Sequence, residues 1–496
     1  MILMPASRKD PSVTHSHRQR FSSTLLRRAS MACGAALATV LAAAGPAPAQ
    51  PSGWSSSFNN LTTQTRSDWM GQVPDATSLG SMSIPGTHDT LAIHGGSLLP
   101  DSYEAQEDHG DSAGTLTAQL DAGIRSIDIR VRVTGGAFAV HHTTIYQNAN
   151  FDDVLTKAQA FLSAHPTETV LMDLHGECDA DSTEGGSGSA SIGHCADDPS
   201  NTTAAQRISI FDGYVAGHPG LFYAPTVTGS STAAMPTLGQ ARGHIVLTDF
   251  TGPRGEVYAG FGLTQLTTGN WGSYVENDYT QCDTTSKWNE VQANLVAANS
   301  DSSGALYTTY TSANCAPFGS NPAQVAADQN PLLLNYLNTG NAARTGVVKT
   351  DYPGYALVTA IVDRNPGVTF SGALTSAISG KCLDDAYDGS SNGAVVDIYT
   401  CNGSAAQVWA PRSDGTLRIN GLCLDVNGGG TSNGTKVDLW SCTGGSNQQW
   451  TATESGALVS AQSGLCLDDP GATTTDMTQL EIWTCHSTNG QVWRLP

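Results

Sequence analysis

Residues 81–89 read SMSIPGTHD, and residues 124–133 read IRSIDIRVRV. Both stretches contain short apolar runs typical of buried strands, and similar runs follow at 137–140, 169–174, 244–247, 305–310 and 346–349. Helical stretches alternate with these runs between residues 50 and 365; the clearest begins at the N-cap Asn150. This alternation predicts an α/β domain with a largely parallel sheet. The number of strands is enough for a TIM-like barrel, either a complete one or an irregular, incomplete one.

Polar residues at the ends of these runs form a candidate active site. They are His88 and Asp89 after the first run, Asp128 and Arg130 in the second, His141 and His142 at the end of the third, Glu177 after the fourth, and Asp351 after the last. The C-terminal ends of parallel barrel strands meet at one mouth. Two imidazoles and a guanidinium there suit phosphodiester chemistry. One imidazole can accept a proton from a hydroxyl, the other can protonate the leaving oxygen, and the guanidinium can hold phosphate oxygens.

The chain is acidic, with 23 Lys and Arg residues against 44 Asp and Glu residues. Residues 1–49 hold six of the basic residues and one acidic residue, then an apolar run over 31–44 and the small-residue sequence Ala47-Pro48-Ala49. This pattern predicts a signal peptide over 1–49 and a secreted protein. Without that segment 17 basic and 43 acidic residues remain, a net charge of −26. Such a charge disfavours nucleic acid as a partner and limits membrane contact to local, mostly apolar patches.

Ten cysteines follow residue 49, and an even number in an exported protein favours disulfides. Six of them form pairs 19 residues apart: Cys382 with Cys401, Cys423 with Cys442, and Cys466 with Cys485. The remaining four would pair as neighbours in sequence, Cys178 with Cys195 and Cys282 with Cys315. A zinc site is the alternative, but the sequence has no CxxC pair or Cys/His cluster.

The chain repeats itself three times from about residue 370. Each unit opens on Cys-Leu-Asp, at 382–384, 423–425 and 466–468, and closes on Gln-x-Trp, at 407–409, 448–450 and 491–493. One such unit cannot bury its own hydrophobic face, whereas three units around a pseudo-threefold axis can. The repeat therefore predicts an all-β domain over residues 369–496, with Trp409, Trp450 and Trp493 at its centre.

This repeat resembles the ricin B-type β-trefoil lectins. The resemblance implies sugar pockets built from the Asp of the first motif, an aromatic residue before the second cysteine, and an Asn-Gln pair. The second unit has the full set: Asp425, Trp440, Asn447 and Gln448. The other two units are incomplete: Asp384, Tyr399 and Gln407 with Ala406 at the Asn position, and Asp468, Trp483 and Gln491 with Gly490. The alternative is that the Asp and Gln residues only hold the hairpins of the fold.

Residues 75–355 resemble the bacterial phosphatidylinositol-specific phospholipases C. The motifs that carry the resemblance are SIPGTHD at 83–89, GIRSIDIR at 123–130, HHTTIY at 141–146, HPTETV at 165–170, and AR at 343–344 with DY at 351–352. The resemblance implies a catalytic barrel over residues 50–368. Arg130, placed where related calcium-using phospholipases hold the ion, predicts that the barrel needs no metal or other cofactor; the alternative is a calcium site formed by the acidic residues around Cys178 and Cys195, which are Asp179, Asp181, Glu184, Asp197 and Asp198. The barrel would act as a lyase on phosphatidylinositol, releasing diacylglycerol and inositol 1,2-cyclic phosphate.

The same resemblance assigns roles to single residues. His88 would be the general base, oriented by Asp351, and His142 the general acid, assisted by Asp89. Arg130 would stabilise the phosphate. The substrate-binding residues would be Glu177, Tyr279, His175 and Asp128, although Asp128 alternatively only anchors Arg130. Three positions depart from the family pattern and bear on headgroup specificity: His175 replaces a lysine, Phe250 an arginine and Asn277 an aspartate.

Three other functions compete with this interpretation. A glycerophosphodiesterase would need a cluster of metal-binding carboxylates in addition to two histidines. A secreted glycoside hydrolase could use Glu177 and Asp351 as its paired carboxylates, which would leave the histidines without a role. A lectin whose barrel has lost catalysis would have no reason to keep the full set of polar residues. We therefore expect a secreted monomer that contacts phosphatidylinositol membranes peripherally and transiently, and binds glycans through the trefoil.

Overall fold

The computed structural model describes residues 57–95, 103–110, 112–143, 145–176, 204–224, 235–251, 274–316, 318–338, 342–453, 455–486 and 488–496. The predicted signal peptide, Glu177 and the predicted Cys178–Cys195 pair lie outside the described residues. Over the part of the chain that is described, no helix combines the length and the apolar character needed to cross a membrane.

Seven parallel strands form the sheet of the N-terminal domain. They are β1 Ser83–Thr87, β2 Ser126–Thr134, β5 Val170–Gly176, β6 Ile245–Thr251, β7 Val275–Glu276, β8 Thr308–Tyr310 and β9 Gly346–Thr350. Their order is β6-β5-β2-β1-β9-β8-β7, and within the described ranges no pairing joins β6 to β7. The central strands β1 and β9 are buried along their whole length, as expected for a parallel sheet covered on both faces.

The third predicted run is not a parallel strand of the barrel. It forms β3 Ala137–His142, which runs antiparallel to β2 and pairs with the antiparallel strand β4 Ile145–Asn150. The expectation that His142 ends a parallel strand is therefore wrong. The chain reverses at Gly135 and Gly136, which both have positive φ, the conformation that tight hairpin turns require. The hairpin places Val140 opposite Val131, so the end of β3 returns toward Arg130.

Helices cover the parallel sheet. They are α1 Ser112–Ala122, α2 Phe151–Ala164, α3 Ala204–Gly217, α4 Leu238–Ala241, α5 Thr284–Ser300, α6 Pro322–Asn338 and α7 Tyr355–Val362. The predicted Asn150 cap occurs at α2, where the backbone N–H of Asn150 donates to Asp153 Oδ2 at 2.7 Å. The apolar residues of α2 at helical spacing are buried against the sheet.

The described residues of the C-terminal domain form strands and short 3-10 turns. The strands are β10 Gly372–Ala373, β11 Thr375–Ser376, β12 Lys381–Asp385, β13 Ala394–Thr400, β14 Val408–Pro411, β15 Leu417–Ile419, β16 Leu422–Val426, β17 Thr435–Ser441, β18 Trp450–Ala452, β19 Leu458–Ser460, β20 Cys466–Asp468, β21 Thr478–Gln479, β22 Glu481–Trp483 and β23 Trp493–Arg494. Disulfides join Cys382 to Cys401, Cys423 to Cys442, and Cys466 to Cys485, and a further one in the barrel joins Cys282 to Cys315.

The three repeat tryptophans lie buried in one hydrophobic cluster, each anchored in the same way. The indole N–H groups of Trp409, Trp450 and Trp493 donate to the backbone oxygen of the Leu in their own Cys-Leu-Asp motif, at 2.9, 3.1 and 3.1 Å. These bonds satisfy the polar atom of each buried indole. At the junction with the barrel, Tyr355 of α7 packs on the same cluster, and its hydroxyl accepts from the Ala452 N–H at 2.9 Å.

Candidate active site

His88 and Asp351 follow two adjacent strands. Thr87 at the end of β1 stands opposite Thr350 at the end of β9, so the next residue of each strand is brought together. His88 Nδ1 lies 2.9 Å from Asp351 Oδ1, and both side chains are buried. On the other side of β1, Gly86 permits the close approach of β2, because a Cβ there would lie 2.8 Å from the backbone oxygen of Ser126.

Asp89 holds an unusual backbone conformation at the mouth. Its φ is 41°, in the left-handed region, which a residue other than glycine adopts at an energetic cost. The backbone N–H of Asp89 donates to Asp128 Oδ2 at 3.3 Å, and the Asp128 N–H donates to Thr90 Oγ1 at 2.7 Å. These bonds tie the turn after β1 to β2 and direct the Asp89 carboxylate toward the site.

The guanidinium of Arg130 lies at the centre of the cluster. Its Nε is 2.5 Å from Asp89 Oδ1, while its Nη2 donates to Asp128 Oδ2 at 3.2 Å and to His88 Nε2 at 3.0 Å. Burial alone would raise the pKa of Asp128, but the positive charges of Arg130 and Lys349 hold that pKa well below its usual range. Asp128 is therefore a permanent carboxylate that fixes Arg130.

His142 enters from the other side of the cluster, on the antiparallel strand β3. Its Nδ1 lies 2.9 Å from the backbone oxygen of Tyr103, and its Nε2 lies 3.2 Å from Asp89 Oδ2. The same Asp89 oxygen is 3.6 Å from His88 Nε2. One carboxylate thus stands between the two imidazoles.

The two imidazoles have opposite hydrogen-bonding neighbours. Arg130 can only donate, so His88 Nε2 must accept and the ring proton lies on Nδ1, facing Asp351. Burial lowers the pKa of His88 well below its ordinary value, and the charge of Arg130 lowers it further, so the ring is neutral. Burial likewise raises the pKa of Asp351, with a contribution from Asp89. Both neighbours of His142, the Tyr103 carbonyl and the Asp89 carboxylate, are hydrogen-bond acceptors.

A second buried polar group lies beside these residues. Asp173 of β5 forms ion-pair and hydrogen-bond contacts with Lys349 of β9, with the hydroxyl of Thr248, and with the Tyr310 hydroxyl at 3.0 Å. The positive charge of Lys349 contributes to lowering the pKa of both His88 and Asp128. Sequence reasoning missed this group. The available signal was a charged residue within each of two otherwise apolar buried runs.

The structure describes some of the residues predicted to contact the substrate. The ring of Tyr279 lies 5.0 Å from that of His88, at an angle of 43°. His175 Nε2 is 3.8 Å from Asp128 Oδ1, so this departure from the family pattern lies at the site. Glu177 and the side chain of Phe250 are outside the described residues. The backbone oxygen of Tyr103 contacts His142, and the side chain of Gln106 donates to the backbone oxygen of His88. Neither residue gave a signal in the sequence, because each contact involves a main-chain atom.

The same residues contain the donor set that a metal ion would require. His88, Asp89 and Asp128 each offer a ligand atom, all within 4.8 Å of one another. The Arg130 guanidinium already contacts all three of these side chains. A cation is therefore built into this position of the cluster.

The trefoil brings its predicted pocket residues together in each unit. In the second unit, Asn447 Nδ2 and Gln448 Nε2 each donate to Asp425 Oδ2 at 2.7 Å, and Trp440 is 42 % exposed beside them. The first unit has one such bond, from Gln407 Nε2 to Asp384 Oδ2 at 2.9 Å. In all three units the aromatic residue stands opposite the first cysteine: Tyr399 opposite Cys382, Trp440 opposite Cys423, and Trp483 opposite Cys466. In the third unit Gln491 Nε2 donates to the backbone oxygen of Thr484 at 3.2 Å.

Comparison with known proteins identifies both domains. A model of the family described as phosphatidylinositol-specific phospholipase C, X domain, matches residues 82–186, and a model of the ricin-type beta-trefoil lectin domain matches residues 370–493. A 1-phosphatidylinositol phosphodiesterase of Listeria monocytogenes is 27% identical over 315 residues, covering 62% of this chain and 86% of the relative. The chain is homologous to the bacterial phosphatidylinositol-specific phospholipases C.

Two further proteins are similar to this chain. A 1-phosphatidylinositol phosphodiesterase of Staphylococcus aureus is 27% identical over 343 residues, covering 63% of this chain and 99% of the relative. The solved phospholipase C structure from Listeria monocytogenes is 24% identical, covers 61% of this chain and 99% of its own, and has a TM-score of 0.49. The predicted recognition, enzyme class and fold class, a barrel-type α/β domain followed by a β-trefoil, are confirmed at this level.

Proposed function

We propose that this protein is a secreted phospholipase C that cleaves phosphatidylinositol to diacylglycerol and inositol 1,2-cyclic phosphate. The observation that carries the proposal is the asymmetry of the two imidazoles on either side of Arg130. His88 is neutral with Nε2 free of a proton, while His142 faces two hydrogen-bond acceptors. An imidazole with an open acceptor nitrogen suits the general base, and one that faces acceptors suits the general acid.

In the proposed reaction the nucleophile is the inositol 2-hydroxyl of the substrate itself. His88 Nε2 removes its proton, and Asp351 stabilises the resulting imidazolium through Nδ1. The hydroxyl oxygen attacks the phosphorus, and His142 donates its Nε2 proton to the diacylglycerol oxygen as that bond breaks. Arg130 holds the phosphate oxygens and neutralises the charge that develops on them.

Binding of the headgroup belongs to the same proposal. Tyr279, beside His88, would stack on the inositol ring, and Glu177, His175 and Asp128 would face its hydroxyls. The glycoside hydrolase alternative is disfavoured, because its second carboxylate, Asp351, is 0% exposed and bonded to His88. A paired glycosidase carboxylate has to reach the sugar or its attacking water.

The proposed organisation is a signal peptide over 1–49, a catalytic domain over 50–368 and a glycan-binding trefoil over 369–496, acting as a secreted monomer. The four disulfides support an extracellular location. Membrane contact would be peripheral and transient, with the trefoil holding the enzyme at glycan-bearing surfaces.

The reaction is tested by phosphorus NMR of products released from phosphatidylinositol vesicles. We expect a five-membered cyclic phosphodiester as the first water-soluble product, because an intramolecular 2-hydroxyl attacks at a much higher effective concentration than water. Inositol 1-phosphate as the first product would contradict the intramolecular attack. Release of free sugar from a glycoside, with no phosphorus product, would favour the glycoside hydrolase, and no product from either substrate would favour the silent lectin.

Trp440→Ala should weaken glycan binding by the trefoil at least tenfold while turnover of a small soluble inositol phosphodiester stays unchanged. The indole is exposed beside the complete Asp425 pocket, where its face can stack on a sugar ring. A glycan array and a soluble-substrate assay measure the two effects. Trp483→Ala, in a unit with Gly490 at the Asn position, is the matched control with a smaller expected loss. Unchanged binding in Trp440→Ala would assign this pocket a purely structural role.

A further inference from the structure

Each unit of the trefoil places two carboxylates directly opposite each other across a strand pair. The pairs are Asp384 with Asp397, Asp425 with Asp438, and Asp468 with Glu481. Like charges at directly opposed positions of an antiparallel pair destabilise it. Each pair therefore needs a donor or a cation beside it.

The second unit supplies that compensation from its own side chains, and the third unit receives it from the second. Asn427 Nδ2 donates to Asp438 Oδ2 at 2.6 Å, and Asn447 Nδ2 donates to Asp425 Oδ2 at 2.7 Å. For the third unit, the Nζ of Lys436 on β17 of the second unit lies 2.7 Å from Glu481 Oε2.

The first unit lacks both asparagines. Ala386 follows Asp384 at the spacing at which Asn427 follows Asp425, and Ala406 precedes Gln407 where Asn447 precedes Gln448. Both alanines line a cavity of about 340 Å³ that Asp384, Asp397 and Tyr399 also line. The cavity therefore occupies the space that the side-chain amides of Asn427 and Asn447 fill in the second unit.

Asp397 is the group left without compensation. Its side chain is 1% exposed, and within the described part of the trefoil its Oδ1 has no hydrogen-bond partner. Burial raises the pKa of Asp397 to about 7, and the neighbouring carboxylates Asp384, Asp476 and Asp385 add to this shift. A buried carboxylate with an unused acceptor favours a cationic group of a ligand.

We propose that this first-unit cavity binds sugars that carry a free primary amine, with the ammonium group between Asp384 and Asp397. An ammonium has three hydrogens to donate and matches two facing carboxylates. Tyr399 offers an aromatic wall for the sugar ring, as Trp440 does in the second unit. A calcium ion would need six to eight oxygen ligands; Asp388, Asn402 and Ser404 also line the cavity, so the titration below separates calcium from an ammonium group. The inference rests on the proposed glycan-binding function and narrows the ligand of one unit.

The test is calorimetric titration of the full secreted chain with matched sugars. Glucosamine and galactosamine are compared with their N-acetyl and 2-hydroxyl counterparts below the pKa of the amine, in wild type, Asp397→Asn and Ala386→Asn. We expect the amine form to bind about tenfold or more tightly than its counterparts in wild type, as a close charge pair can give. Asp397→Asn should remove that preference. Ala386→Asn restores the amide of the second unit and should also reduce it.

Asp438→Asn is the matched control, since it makes the same change in the second unit and should leave the amine preference intact. Equal affinity for amine and acetamide forms in wild type would overturn the inference, as would a preference that survives Asp397→Asn. Calcium binding that is lost in Asp397→Asn, without amine preference, would overturn it in favour of a metal site. Sugar binding that depends on Trp440 but shows no amine preference would leave the lectin function standing. No binding of any sugar would contradict both.

Discussion

The variants His88→Ala and His142→Ala should each lower kcat on phosphatidylinositol by roughly 10²–10⁴-fold, which is the usual contribution of a positioned acid or base. The two losses should differ in their dependence on the leaving group. His142 donates a proton to the departing oxygen, so an inositol phosphodiester with a nitrophenyl leaving group should need it far less. His88 acts on the nucleophile, so its loss should be similar for both substrates. Steady-state assays with the two substrates measure this.

The matched control is His218→Ala, because His218 is a largely buried histidine that pairs with Asp152 and Gln159 away from the cluster. It should keep activity on both substrates, while circular dichroism checks that all three variants fold. A His88→Ala enzyme within tenfold of wild type would end the proposed mechanism. If the nitrophenyl leaving group restored the activity of His88→Ala but not that of His142→Ala, His88 would be the general acid and His142 the general base.

The sequence predicted the parallel sheet because its strands are apolar runs buried on both faces. It also predicted that His88 and Asp351 meet, since residues that follow neighbouring parallel strands share one edge. The same rule failed for the third run. Strand direction depends on the connection, and the two-glycine turn at 135–136 makes β3 a hairpin. His142 reaches the site because the hairpin folds back. The rule that the C-terminal ends of parallel strands meet at one edge does not cover this case.

Other parts of the site left little trace in the sequence. The carbonyl of Tyr103 that holds His142 belongs to a main chain, so no side-chain pattern can reveal it. The Asp173–Lys349 pair joins strands that are distant in sequence, and its signal was a single charge in each apolar run. In the trefoil, the uncompensated Asp397 becomes visible only when the strand register places it opposite Asp384.

Arg130→Lys should lower kcat by about 10²–10³-fold, comparable to the loss of one preorganised donor to a developing anion. The guanidinium contacts Asp89, Asp128 and His88 in three directions. A lysine ammonium is a single point that keeps the charge but cannot reproduce this fork. Initial rates on phosphatidylinositol vesicles measure the loss. Arg242→Lys is the matched control, because Arg242 bonds Asp75 and backbone oxygens away from the cluster and should leave activity unchanged.

The same assay, repeated with EDTA and with millimolar calcium, decides which cation serves the phosphate. His88, Asp89 and Asp128 offer atoms close enough to bind an ion, but a calcium ion among them would meet the charge of Arg130 at short range. We therefore expect wild-type activity to be insensitive to chelator. Loss of activity in EDTA that calcium restores would assign the role to a metal and reduce Arg130 to an anchor for Asp89. Suppose that activity is insensitive to chelator but strongly reduced in Arg130→Lys. The cation that binds the phosphate must then belong to the chain and must donate two N–H groups at once. Among the described residues, Arg130 is the guanidinium that contacts His88.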